Sequence, residues 1–226
     1  AIFQDVTFRG NRASAGSAVG LSGGSPQLLG CRIYGNRGDR ITYGSGSALF
    51  RDCVIAGNEG TAFDTFSGTI ERSIISANTG NALSSFGALV SNSLISGNWS
   101  SGVSSAFGAA TLLNSTIAGN DGSGARESSG VFTNSIFAGN RDYGVDETNA
   151  NNDPTVTHSL FFGNGLVESR DEGTLVRTGA VAIDTNVAGV SNSVDGDPLF
   201  TFGASGSWTA NGVHDPVAYR TTLTDA

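Results

Sequence analysis

The stretch Leu89-Val-Ser-Asn-Ser-Leu-Ile-Ser-Gly-Asn98 decides the fold, because it returns almost unchanged as Thr111-Leu-Leu-Asn-Ser-Thr-Ile-Ala-Gly-Asn120 and Val131-Phe-Thr-Asn-Ser-Ile-Phe-Ala-Gly-Asn140. Its last four residues make a phrase: large apolar, any residue, Gly, Asn. Working outward, the phrase recurs at Phe8-Arg-Gly-Asn11, Ile33-Tyr-Gly-Asn36, Ile55-Ala-Gly-Asn58, Ile75-Ser-Ala-Asn78 and Phe161-Phe-Gly-Asn164. Successive Asn residues are 25, 22, 20, 20, 22, 20 and 24 positions apart, a period that belongs to solenoids and is too irregular for a coiled coil or a propeller. No Leu lattice with a helical half accompanies it, which excludes a leucine-rich repeat.

Positions counted from the Asn keep their character. Three before it stand Phe8, Ile33, Ile55, Ile75, Ile95, Ile117, Phe137 and Phe161; five before it the residues are small, Val6, Cys31, Cys53, then Ser73 to Ser159; eight before it the apolar class returns, as in Phe50, Val90 and Phe132. A looser apolar position follows the Asn by five, at Ile41, Phe63, Leu83, Val103 and Val145. Three short apolar runs with Gly-rich separators read as three strands per turn, and a 20-residue repeat leaves no room for a helix of ten or more residues. Coiled about an axis, the runs form three parallel sheets whose turns stack about 4.8 Å apart, so eight turns give a rod roughly 35 to 40 Å long. Ile and Phe would fill the lumen. The residue before each Asn would fit a cramped corner, where Ala77 argues against a need for positive φ. The Asn amides would hydrogen-bond along the stack and to turn backbone.

Composition agrees with one sizeable domain. The 226 residues include 33 Gly, 4 Pro and 14% charged residues, with neither the collagen period nor a run long enough for a membrane span. All 12 basic residues are Arg, and the net charge of −8 disfavours nucleic acid as a partner. The chain begins at Ala1 without Met, which reads as a mature secreted chain or a piece of a longer one.

The Phe/Ile-x-Gly-Asn phrase, the preceding Asn-Ser of Asn92-Ser93, Asn114-Ser115 and Asn134-Ser135, and starts such as Gly16-Ser-Ala-Val19 and Gly46-Ser-Ala-Leu49 resemble the right-handed parallel β-helix repeat proteins of the pectate-lyase-like superfold. They are also similar to the repeats of polymorphic outer-membrane and other bacterial surface proteins, which pair a Phe-x-x-Asn phrase with a Gly-Gly-Ala-Ile phrase. The resemblance implies an all-β, right-handed, single-stranded parallel β-helix of about eight to nine turns of 20 to 25 residues over positions 1–200, with 201–226 as a tail or partial cap. Gly196-Asp-Pro-Leu-Phe200 resembles the closing turns of such proteins. It implies a secreted or cell-surface, bacterial setting. Function does not follow, because the superfold hosts lyases, hydrolases, epimerases and adhesins alike.

Candidate chemistry is sparse. Asp142, Asp146, Glu147 and Asp153, in the longest insertion, could offer calcium several hard oxygen ligands, with a solvated loop as the alternative. The same acids, with Glu168, Asp171 and Glu172, are the candidates for glycoside hydrolysis or lyase chemistry on the 142–172 side, helped by an aromatic groove at Trp99 or Tyr143. A lyase of this superfold would use a basic residue; without Lys that falls to Arg, which hardly deprotonates. His158 replaces the Asn found at 92, 114 and 134, and reads as a corner substitution or a general base. Cys31 and Cys53 share a row on neighbouring turns, as two buried thiols or a disulfide. Asn98-Trp-Ser100 and Asn114-Ser-Thr116 match glycosylation sequons, but a ladder Asn with a buried amide would be a poor acceptor. The leading expectation is a non-enzymatic scaffold or adhesin whose Ser/Thr/Asn-rich outer sheets meet a polysaccharide or protein partner, with end-to-end or lateral assembly as a further route. The runner-up is a polysaccharide-active enzyme.

Overall fold

In a computed structural model the described residues are 1–104, 110–148 and 154–171, with short strands beyond them. The chain winds into three nine-stranded sheets, and no helix among the described residues is long and apolar enough to cross a membrane. The first sheet contains Leu89–Ser91, Thr111–Leu113 and Val131–Thr133; the second contains Leu94–Ser96, Thr116–Ala118 and Ile136–Ala138; the third contains Val103–Ser104, Ala125–Arg126 and Tyr143–Asp146. Neighbours are parallel and in register by the repeat, so Val90 faces Leu112, Ile95 faces Ile117, and Val103 faces Ala125.

Seven full turns separate Asn11 from Asn164, slightly fewer than the eight to nine expected. The count is raised to nine strands by Val190–Ser191 and Val194–Asp195, which extend the first and second sheets, whereas the third ends in an antiparallel strand, Leu175–Arg177. By contacts the chain divides into Ala1–Gly196 and Asp197–Ala226; the second unit holds a hairpin of Val213–Asp215 and Arg220–Thr222. Trp208, Tyr219 and the Gly196–Phe200 phrase lie outside the described residues.

Each strand is short and sends its middle side chain inward, which is why Phe50, Ile55, Ile75, Ile95 and Phe132 are fully buried. The sequence reading missed Phe66 and Phe86, eight residues after their Asn and also buried. Phe50, Phe63 and Phe66 form one aromatic cluster with centroids 4.9 to 5.6 Å apart.

The asparagine column forms as expected. In each step Nδ2 donates to the Oδ1 of the next turn's Asn, for example Asn58 to Asn78 at 2.9 Å and Asn98 to Asn120 at 2.9 Å. The same Oδ1 accepts the backbone N–H of the preceding Asn, and Nδ2 also donates to a carbonyl of the turn before, as in Asn78 to Ile55 O at 3.1 Å. A Ser row five residues earlier repeats the device: the N–H of Ser73 donates to Ser93 Oγ at 3.1 Å, while Ser93 Oγ–H donates to Ser91 O at 2.8 Å.

One expectation is overturned at the corner. Gly10, Gly35, Gly57, Gly97, Gly119, Gly139 and Gly163 all have positive φ, and Ala77 shares it at φ 53°. A Cβ built at those glycines meets nothing within 4 Å. The corner is roomy, and conformation rather than space selects Gly; Ala77 bears the left-handed strain because the amide column fixes its neighbours. A second left-handed column stands six before the Asn, at Asp5, Gly30, Asp52, Arg72, Asn92, Asn114, Asn134 and His158.

Two predictions follow from these columns. Ala77→Gly relieves about 1 to 2 kcal/mol of backbone strain and loses part of that to unfolded-state entropy, so denaturant melts should find the variant more stable by about 0.5 to 1 kcal/mol. Asn98→Ala leaves the buried Asn78 donors without their acceptor and should cost about 3 to 5 kcal/mol, against under about 1 kcal/mol for Asn114→Ala at the exposed corner.

Candidate functional site

The 142–172 side is the place the sequence singled out, and its local structure is an extension of the third sheet. Tyr143–Asp146 pairs in parallel with Val167–Asp171, which sets Asp146 opposite Arg170, while Arg126 faces Asp146 from the turn before. Three charges thus stand in one column, six residues after Asn120, Asn140 and Asn164. Asp146, only 4% exposed, accepts from Arg170 Nε at 2.6 Å and Nη2 at 2.9 Å; Arg126 Nε lies 3.8 Å away and Ser123 Oγ 3.4 Å. The hydrogen bond to Asp146 raises the Arg170 pKa above its ordinary value, and the guanidinium lies over the Tyr143 ring at 4.6 Å.

This arrangement bears on the calcium expectation. The Asp146 oxygens are taken by guanidinium donors, Asp142 is half-buried, Glu147 is buried beside the strand, and Asp153 lies outside the described residues. Among the described residues no group of three or more His, Cys, Asp or Glu side chains is placed to hold a metal ion, and Asp153, the fourth residue of the expected calcium set, is not among them. Of the other acids, Glu168 is buried, and Glu172 lies outside the described residues. Tyr143 has its face covered by Arg170, whereas Trp99 is 68% exposed at the corner between the second and third sheets. His158 is exposed at φ 51° in the left-handed column, a corner substitution for the Asn of the preceding turns.

Cys31 and Cys53 are buried free thiols. They stand in for Ser, with Cys53 Sγ 3.3 Å from the carbonyls of Leu28 and Arg51, and burial pushes the Cys53 thiol up to about 11. Asn98 is buried with its amide fully engaged. Asn114 does not belong to that column: it is exposed at φ 51°, so the ladder argument against glycosylation applies to Asn98 alone.

Elsewhere the outer charges pair from turn to turn. Arg37 meets Glu59 at 2.8 Å, Arg40 meets Asp64 at 2.7 Å, Arg72 meets Asp52 at 2.8 Å, and Arg141 meets Asp121 at 3.0 Å, while Arg51 meets Glu71. Four of these five pairs join residues at equal distance from their Asn, a signal that counting along the repeat could have found. Beside the first of them lies a hollow of about 540 Å³ edged by Arg12, Arg37, Asp39, Glu59 and Thr79.

The model of the right-handed β-helix region matches residues 1–104 and 67–193. The chain belongs to the right-handed β-helix family. Among solved structures this β-helix is similar to the A-module of mannuronan C-5 epimerase AlgE6 from Azotobacter vinelandii, at 15% identity and a TM-score of 0.45, covering 87% of this chain and 74% of that one. At that identity the likeness is one of fold, and no residue role is carried over. No curated protein matches the chain.

Two measurements test the site's chemistry. Asp146→Ala strands the Arg170 guanidinium, whereas Arg126 keeps Glu127 at 3.3 Å; because Arg170 is 26% exposed, the cost should be about 2 to 3 kcal/mol, below that of a fully buried pair. Cys31 and Cys53 should resist iodoacetamide in the native protein and react at once in denaturant, since both thiols are buried and the raised pKa of Cys53 leaves it little thiolate as well.

Proposed function

We propose that this β-helix is a rigid, non-enzymatic module of a secreted or cell-surface bacterial protein, a scaffold or adhesin that presents its long outer sheets to a polysaccharide. The observation that carries the reading is the use made of surface charge. Arg37, Arg51, Arg72, Arg141 and Arg170 each brace a neighbouring turn through a carboxylate, so these ionisable groups stiffen the rod. Acid–base catalysis on a glycan requires two carboxylates free to face a substrate. Asp146, the most central acid of the 142–172 side, faces Arg170 and Arg126 instead. The Ser, Thr and Asn of the outer columns supply neutral hydrogen-bonding groups at one per turn, about 4.8 Å apart, a spacing close to one sugar unit of an extended chain.

The test is a panel of neutral and acidic polysaccharides assayed in parallel for binding and for turnover, the latter through reducing ends, unsaturated sugars and epimer content by NMR. Binding without turnover is expected. Turnover that disappears in Asp142→Asn or Glu168→Gln would overturn the reading and make the 142–172 side an active site.

A further inference from the structure

We propose that the outer face of the second sheet is a homodimer interface, in which a twofold axis parallel to the coil sets Trp99 of each copy into a hollow beside Arg72 of the other. The partner is a second copy of this chain, and the argument is independent of what the scaffold binds.

The starting point is a face without charge. Six strands of the second sheet, Val54–Ala56, Ile74–Ser76, Leu94–Ser96, Thr116–Ala118, Ile136–Ala138 and Leu160–Phe162, lie side by side and contain no charged residue. Over the same turns the first sheet carries Arg51 and Glu71, and the third carries Glu59, Asp64, Arg126 and Asp146. In each of the six strands the middle side chain fills the lumen and the other two lie on the outer face, four and two residues before the Asn. No insertion interrupts this spacing. Val54, Ile74 and Leu94 are 36 to 40% exposed, so a chain of net charge −8 presents water with an aliphatic ridge. A contiguous apolar patch with a polar rim marks a surface made for association.

The face is also complementary to itself. The column four before the Asn is Val, Ile or Leu in five of the six turns, and the column two before it is Ala or Ser in five. A twofold axis running along the coil between these columns keeps each turn at its own level and exchanges the columns. Val54 then meets Ala56 of the other copy, Ile74 meets Ser76, Leu94 meets Ser96 and Ile136 meets Ala138, so a ridge packs into a trough at matching levels. The same operation carries one edge of the face onto the other, so the residue six before the Asn meets the residue one after it. At the turn of Asn98 these are Asn92 and Trp99. Trp99 is 68% exposed, and at its level on the opposite edge lies a hollow of about 580 Å³ lined by Arg72, Ile74, Asn92, Leu94, Asn114 and Thr116.

The hollow suits an indole: Ile74 and Leu94 give it aliphatic walls, and the Arg72 guanidinium, held by Asp52 at 2.9 and 2.8 Å, gives it a fixed cation for the ring face. Because knob and hole sit on one face at one level, the twofold makes the insertion twice. The rim agrees, since Asn114 meets Asp121 and Asn134 meets Arg141. The one like-charge meeting, Asp52 with Glu59, joins acids already paired with Arg72 and Arg37. Six turns about 4.8 Å apart and about seven residues across give a face of roughly 25 by 20 Å, or about 1,000 Å² over both copies, at the lower bound for a specific interface. The dimer is therefore weak, and Trp99 is its anchor.

The test is sedimentation equilibrium of the full chain from about 1 µM to about 1 mM, the range suited to an interface of this size. A monomer–dimer equilibrium is expected. Trp99→Ser and, separately, Ile74→Asp should each weaken it tenfold or more. Leu89→Asp, which places the same charge on an exposed aliphatic position of the first sheet, should leave it unchanged; thermal melts should show the variants folded, and Trp99→Ser decides alone where Ile74→Asp does not fold. Asn134→Cys combined with Arg141→Cys should link two chains by disulfides when oxidised glutathione is added, while neither substitution alone should. The proposal is overturned if Leu89→Asp weakens the dimer as much as Ile74→Asp, if Trp99→Ser leaves it intact, or if a dimer forms and the paired cysteines do not link. A chain that stays monomeric overturns it too. In that case acrylamide quenching of Trp99 in a Trp208→Phe background shows whether another segment of the chain covers the face or water does.

Discussion

The column of asparagine amides is the interaction on which the rest of the structure depends. A coil with a short corner must bring backbone N–H and carbonyl groups out of the sheets at every turn and bury them, and each orphaned group costs about 1 to 3 kcal/mol. One side chain per turn resolves this. Within the column the amide oxygen accepts two bonds from the turn below, and the amide nitrogen donates both to the next oxygen above and to a carbonyl of the turn below. Asp could not replace Asn here, because it has no donor to pass upward. Gln would misplace the amide by one carbon. The column therefore demands Asn at a fixed place and lets loop length vary elsewhere, as the spacings of 20 to 25 residues record.

The column also creates the backbone strain beside it. Holding the amide inward at a two-residue corner forces the preceding residue into left-handed φ, and the first bend of the coil imposes the same conformation six residues before the Asn. Gly meets that demand at the second corner in all but one described turn. At the first bend, Asn92, Asn114 and Asn134 meet it with the residue type that tolerates it best after Gly, while Arg72 and His158 bear more strain. His158 drew attention in the sequence as a lone imidazole among polar residues, and the backbone accounts for its position without any chemistry.

Legibility in the sequence followed the distance from this column. Strands, lumen rows and the Ser row were readable because they lie within eight residues before the Asn, where no insertion intervenes. The Ala77 corner was misread, since a small residue suggests tight packing and the sequence carries no direct sign of φ. Phe66 and Phe86 went unseen because they lie beyond the third strand, where turns differ in length. The Asp146 pairing with Arg126 and Arg170 was missed for a different reason. It lies six residues after the Asn, one step beyond the last apolar row, and acids in an insertion invite a functional reading before a structural one.

Once the Asn is used as an origin, the charged surface becomes a sequence property. Glu59 follows Arg37, Arg72 follows Asp52, and Arg141 follows Asp121 at the same offset one turn later, and each couple forms an ion pair. Exposed pairs of this kind contribute little singly, about 0 to 1 kcal/mol, so stability alone is a weak reason for their alignment. Alignment does remove free charge from the rod, because a cation stacked on an anion presents little field to a distant ligand.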